Sequence, residues 1–415
     1  MLSEKTRHNH LILALCLGVA ACSGEDDANG ETGTIADDAG AEQPGLLEPS
    51  AKQLEQRAYI VSRDSEELTI IDIEKLEIIG KVPTGGGENH MAELNDDFTK
   101  VYITSSATDE AIVVDAKKLK VSGKIDVTGH PTHLTLSPDG RLIAVMIEAT
   151  SEVAFLEMSD DTERTRISGF ETPHFMRFTP DGDWGYVANI GGNFVSRVDM
   201  RKLEVTNTIS LDDYEDRRQV ENEGGFADAQ IAEDGTLFAA HHLSGKVLTI
   251  DSKTGKKQGE LSVGKGPWVA FAEHPFKGAP LRHVVPNFGD QTISVIDAQD
   301  KFKPSVSATL PGDEEAYGVN FSPLEPDLAF VMNRVREDIA VLDTSKGEVI
   351  ERISVGGNTE TASTTADGKY IFATVSSANS VVVIDVASRK IKKTFENVGK
   401  YPWSVTIPKG QNYCH

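Results

Sequence analysis

The chain is 415 residues long and 39% hydrophobic, with 65 acidic side chains against 41 basic ones and a formal net charge of −24. An acidic balance of that size excludes nucleic acid as a partner, because phosphate backbones are bound through clustered Lys and Arg. Of the 3 cysteines, Cys16 and Cys22 lie near the N terminus, so Cys414 has no internal disulfide partner, and the lack of Cys-x-x-Cys-His excludes covalent c-type haem.

The chain opens with Lys5 and Arg7, continues through an apolar stretch over residues 11–17 and reaches Val19-Ala20-Ala21-Cys22. Residues 1–21 therefore read as a secretory signal whose apolar core is too short to span a bilayer. Small residues leading into a cysteine resemble a bacterial lipobox, which implies that Cys22 becomes the lipid-modified first residue of an extracytoplasmic lipoprotein. Ser23 stands where the enterobacterial sorting rule has the Asp of inner-membrane retention, so the resemblance implies the outer membrane rather than the inner. Residues 22–50 are mostly Gly, Ala, Asp and Glu, the composition of an acidic disordered tether. Residues 1–21 carry +1 and the tether −8, so the rest of the chain keeps −17.

Eight times thereafter an apolar run ends on an acidic residue, at Asp72, Asp115, Glu157, Asp199, Asp251, Asp297, Asp343 and Asp385. Runs such as Leu68-Thr69-Ile70-Ile71-Asp72 and Val381-Val382-Val383-Ile384-Asp385 are β-branched strands, and the acidic side chain can accept the backbone N–H two residues on to open a hairpin. A polar strand, a Gly/Pro-rich loop, and a strand leading into a turn such as Ser137-Pro138-Asp139-Gly140 or Thr179-Pro180-Asp181-Gly182 complete each repeat. One such sheet cannot bury both faces, so copies at intervals of about 40 to 50 residues must pack around an axis. The first repeat lacks its innermost strand, and the chain ends with an unpartnered Trp403-Ser404-Val405-Thr406-Ile407. The pattern predicts an all-β fold, an eight-bladed β-propeller of four-stranded antiparallel blades over residues 51–410, closed by the C-terminal strand joining the first blade. Residues 411–415 are left as a C-terminal tail, with Cys414-His415 as its frayed, exposed end.

Tyr186-Val187-Ala188-Asn189, the run Gly192-Asn193-Phe194-Val195-Ser196-Arg197-Val198-Asp199 and the recurring Pro-Asp-Gly turns resemble the YVTN-type repeat family over residues 57–408. Eight such blades are also similar to the propeller of dissimilatory nitrite reductases and their assembly proteins, with Phe271-Ala272-Glu273-His274-Pro275 and the segment from Asn287 to Asp297 alike in layout. That second resemblance implies a d-type haem; the first implies only the fold. Asp251-Ser252-Lys253-Thr254-Gly255 resembles the quinoprotein repeat, but Gly259 replaces its docking tryptophan and the motif does not recur.

A propeller gathers the loops entering its innermost strands, and those joining second and third strands, at one mouth of its channel. Alignment of the repeats on their turns puts His90, Thr132 with His133, His174, Ala227 with Asp228, Trp268, Tyr317, Glu360 and Trp403 at that mouth. Asn189, Asn193, His241, His242, Asn287, Asn333 and Arg334 come from the companion loops. Between His90 and His283 the chain holds eight of its 11 histidines. Imidazoles on one side of a ring suit a metal or an axial tetrapyrrole ligand, and equally suit polar channel liners bonded to carbonyls and water. His130 and His133 would point to opposite faces if both lay in a strand. His274 and His283 read as loop and strand residues, and Asn189, Asn193 and Asn287 also suit turns.

No Gly-x-Ser-x-Gly elbow, phosphate loop or zinc-protease helix occurs. The leading expectation is a lipid-anchored, non-catalytic module binding a small ligand or an envelope protein. The alternative is a redox, metal- or haem-type tetrapyrrole-binding propeller, with His90, His133, His174, His241 or His242 as ligands and Arg334 pairing a propionate.

Overall fold

The computed structural model describes residues 48–214, 224–272, 281–300, 302–313 and 315–412. Residues 1–47, which include the stretch read as a signal, Cys22 and most of the expected tether, lie outside the described residues, as do His274 and the Cys414-His415 pair. Eight antiparallel sheets form the blades, seven of four strands and one of five. The first blade is built from Arg57–Ser62, Glu67–Asp72 and Glu77–Pro83, and its innermost strand is Pro402–Thr406 from the far end of the chain. Tyr59 pairs with Thr406 and Val61 with Ser404, so the ring closes between opposite ends of the sequence and that blade keeps no bare inner edge.

The acidic hairpin residues do what their spacing predicts. Asp115 Oδ1 accepts Lys117 N at 2.9 Å, and Asp199, Asp297 and Asp343 each accept the N–H two residues on. Asp72, Asp251 and Asp385 accept the N–H three residues on. Glu157 is the exception, for its longer side chain turns outward to Arg141 and Arg164. In the Ser137-Pro138-Asp139-Gly140 turn, Gly140 adopts φ +67°, and a Cβ there would sit 1.9 Å from the Asp96 carboxylate of the preceding blade.

The core lies between blades. Tyr59, Val61, Leu68 and Ile70 interleave with Ala92, Leu94, Val101 and Ile103 of the second blade. Across the closure, Ala58, Ile60 and Ile71 meet Phe372, Val381 and Val383 of the eighth.

Seven innermost strands set the channel: Asn89–Leu94, Pro131–Leu136, Pro173–Phe178, Phe226–Ile231, Ala316–Phe321, Thr359–Thr364 and Pro402–Thr406, with blade six contributing the short Phe271–Ala272 after Trp268. All run from the mouth toward the lower face. At the lower end Gln411–Asn412, predicted as tail, adds a strand to the channel-facing edge of Thr364 and Ser363. Gln411 also accepts the N–H of Phe321 at 2.7 Å, so this short strand ties blades seven and eight.

Candidate functional site

Every complete inner strand of blades two to five, seven and eight carries the same irregularity near its first residues. Register with the second strand shifts between Asn89 and Ala92, Pro131 and Leu134, Pro173 and Phe175, Phe226 and Ala229, Ala316 and Val319, and Thr359 and Ala362. A bulge turns side chains out of the regular alternation. It therefore decides which residues reach the channel.

The result is a closed collar. Trp403 lies 5.4 Å from His90, His90 is 4.5 Å from His133, and His133 is 4.2 Å from His174. His174 is 6.2 Å from Trp268, which is 5.9 Å from Tyr317. Arg334 closes the circuit, 3.7 Å over the Tyr317 ring and 5.9 Å from the Trp403 ring. Six of these seven residues come from innermost strands or the segments leading into them; only Arg334 comes from a companion loop.

The imidazole side presents metal-ligand chemistry. His133, Glu148 and His174 each place one ligand atom within 4.8 Å of the others. His174 Nδ1 lies 2.8 Å from the Ala227 carbonyl, which only a protonated nitrogen can approach favourably, so Nε2 carries the lone pair. Thr132 Oγ1 donates to Glu148 Oε1 at 2.9 Å and lies 3.3 Å from His133 Nδ1. With its proton given to the carboxylate, the hydroxyl accepts from His133 Nδ1–H, and the lone pair of that ring is assigned to Nε2 as well. Both rings are thus oriented by outer partners, as metal-bound imidazoles are. Two nitrogens and one carboxylate oxygen form a donor set suited to a borderline divalent ion such as zinc.

The opposite side is aromatic and already paired. Trp268 stacks on Phe288 at 5.4 Å, with His242 edge-on at 5.8 Å. His242 Nδ1 is 3.3 Å from the Pro267 carbonyl. Arg334 bonds Glu315 at 3.0 Å and also Glu360, whose other oxygen accepts Ser376 Oγ at 2.5 Å. Burial works against the Arg334 charge, and the adjoining Tyr317, Glu360 and Glu315 outweigh it, so its pKa rises. Each terminal nitrogen of this guanidinium thus bonds a carboxylate that already balances its charge, while its buried Nε–H has no acceptor among the described residues. The Trp268 and Trp403 indole N–H groups find no acceptor among the described residues, although each residue is only 8% exposed. A buried N–H left in that state costs about 1–3 kcal/mol.

Other candidates fall outside the collar. His241 is fully buried, edge-on to Phe226 at 4.8 Å and bonded to Asn193 at 2.9 Å; burial first, and then the neighbouring His242, push its pKa down to about 4. Asn287 spends its amide on Thr292 and Ser294, Asn189 on its own hairpin, and Asn333 on Asp338. His283 packs on Phe238 at 3.8 Å in the core of blades five and six. His130 is exposed with φ +65°, in the loop before the strand.

Glu148 escaped sequence reasoning because nothing distinguishes one acidic hairpin residue from another. Arg177 and Glu93 escaped it too, and Asp228, expected at the mouth, is instead drawn below the collar by Arg177. Arg177 holds Asp228 at 2.8 Å and covers Phe175, while burial pushes the nearby Glu93 up to about 7 against the opposing pull of Arg177.

The class these features define is an eight-bladed β-propeller with a polar and aromatic channel mouth. Residues 286–409 match the family model described as YNCE-like beta-propeller. No curated protein matches the sequence. Among solved structures the chain is similar to the dihydro-heme d1 dehydrogenase NirN in complex with DHE, with a TM-score of 0.71 and 17% identity over 89% of this chain and 78% of that one. It is also similar to apo AztD from Citrobacter koseri, with a TM-score of 0.58 and 14% identity over 84% and 96% of the two chains. Hydrazine synthase from Kuenenia stuttgartiensis follows, with a TM-score of 0.53 and 19% identity over 71% and 95%. At these identities the likeness is one of fold.

Proposed function

We propose that this protein is a non-catalytic binding propeller that captures a divalent transition-metal ion at its channel mouth. Held outside the cytoplasm by a lipid on Cys22, it would present that mouth within the cell envelope. The observation that carries the reading is the convergence of His133, Glu148 and His174 within 4.8 Å, with the His174 tautomer set by the Ala227 carbonyl. Three protein donors leave a fourth coordination position open to water or another ligand. Acidic side chains on the mouth-side loops, among them Asp64, Glu88, Asp109, Glu171 and Asp290, favour the approach of cations.

A tetrapyrrole is the second reading, favoured by the fold shared with NirN, whose structure holds DHE. The pairing of Arg334 with Glu315 and Glu360 weighs against it. Calorimetric titration of the apo-protein with Zn²⁺ tests the proposal. One-to-one binding is expected, weakened at least about 100-fold by His133→Ala or His174→Ala. Binding that survives both substitutions, or a stoichiometric visible chromophore in the protein purified from its native host, would overturn it.

A further inference from the structure

The two unpartnered indole N–H groups sit at the two ends of the imidazole row, Trp403 beside His90 and Trp268 beside His174. Packing alone does not account for them. A buried indole N–H without an acceptor is costly, and among the described residues nothing accepts from either nitrogen. An indole N–H only donates, so whatever satisfies it carries an acceptor. The metal donor set is one ligand short of four-coordinate at its minimum count, and its bound cation would draw an anion into the same space.

We infer that, on the metal-binding reading above, the ion is held as a ternary complex with a small oxygen-rich anion of the carboxylate class. One of its oxygens fills the open coordination position beside His133, Glu148 and His174. Others accept the N–H groups of Trp268 and Trp403. The aromatic side of the collar, with Phe288 and Tyr317 against Trp268, gives its carbon skeleton an apolar wall. The protein then recognises a metal–carboxylate complex rather than a bare ion, and the asymmetry of the mouth follows, with ligands on one side and ring faces on the other.

The test is a Zn²⁺ titration of the purified full-length protein with and without a constant excess of oxalate. Trp268→Phe, Trp403→Phe and their double variant keep the ring and delete the donor. Trp184→Phe is the control, since Trp184 lies under Arg197 away from the collar. Oxalate is expected to tighten Zn²⁺ binding about tenfold in the unsubstituted protein and the control. In the double variant that gain, taken relative to the variant's own Zn²⁺ binding without oxalate, should fall below about twofold. Oxalate that merely strips Zn²⁺ from the unsubstituted protein overturns the ternary complex and leaves the metal site standing. A gain that persists in the double variant overturns the role of the indoles. No Zn²⁺ binding with or without oxalate overturns both the inference and the metal reading it rests on.

Discussion

Replacing Arg334 by Met tests whether the aromatic side of the collar is held by a buried ion pair. Glu360 is 1% exposed and Arg334 14%, so Met of similar reach removes the charge and leaves a carboxylate with only the neutral Ser376 and Tyr401 hydroxyls beside it. Breaking a buried pair from one side costs about 3–5 kcal/mol. The lost stacking on Tyr317 adds about 1 kcal/mol, and the residual exposure of Arg334 argues for the lower end, about 3–4 kcal/mol in all. Urea unfolding followed by far-UV circular dichroism reads this as a shift in midpoint at constant slope. Adding Glu360→Gln should restore about 2 kcal/mol at neutral pH. A loss under about 1 kcal/mol, or no recovery on adding Glu360→Gln, would refute the reasoning.

Three further outcomes follow from the same geometry. Thr132→Val removes the hydroxyl that links His133 to Glu148 and should weaken Zn²⁺ binding about 10- to 100-fold with little change in melting temperature, read by calorimetry of both. Glu93→Gln should raise the melting temperature by about 2 °C at pH 8 and leave it unchanged at pH 4, because a carboxyl raised to about 7 loses its contribution as pH climbs through that value. Ending the chain after Gly410 strips Phe321 N–H and Asn320 of their Gln411 partners and should cost about 2–3 kcal/mol in urea unfolding.

Much of the ring was legible because propeller strands repeat their chemistry. Asp115 and Asp199 open hairpins through local bonds that sequence spacing encodes, and the missing first inner strand matched the surplus one at Trp403. The mouth was legible only in outline. A register shift in the inner strand brings His133 to the channel, and no residue type marks that bulge. His241 and His242 are neighbours in sequence, yet one ends a strand inside a blade and the other lies in the turn beside Trp268. Arg334 looked open to an anion because its partners, Glu315 and Glu360, lie 19 and 26 residues away. Gln411–Asn412 falls in the expected tail because two residues carry no strand signal; long-range pairing with Ser363 and Thr364 supplies it.

The central claim is the metal site, and anomalous diffraction at the zinc edge from crystals grown with Zn²⁺ tests it most directly. The account predicts one strong peak at the channel mouth, about 2.0–2.2 Å from a nitrogen of His133, a nitrogen of His174 and an oxygen of Glu148. A mouth without a peak, with zinc only in the acidic groove of Asp96, Asp97, Asp139 and Glu157 on the lower face, would contradict it.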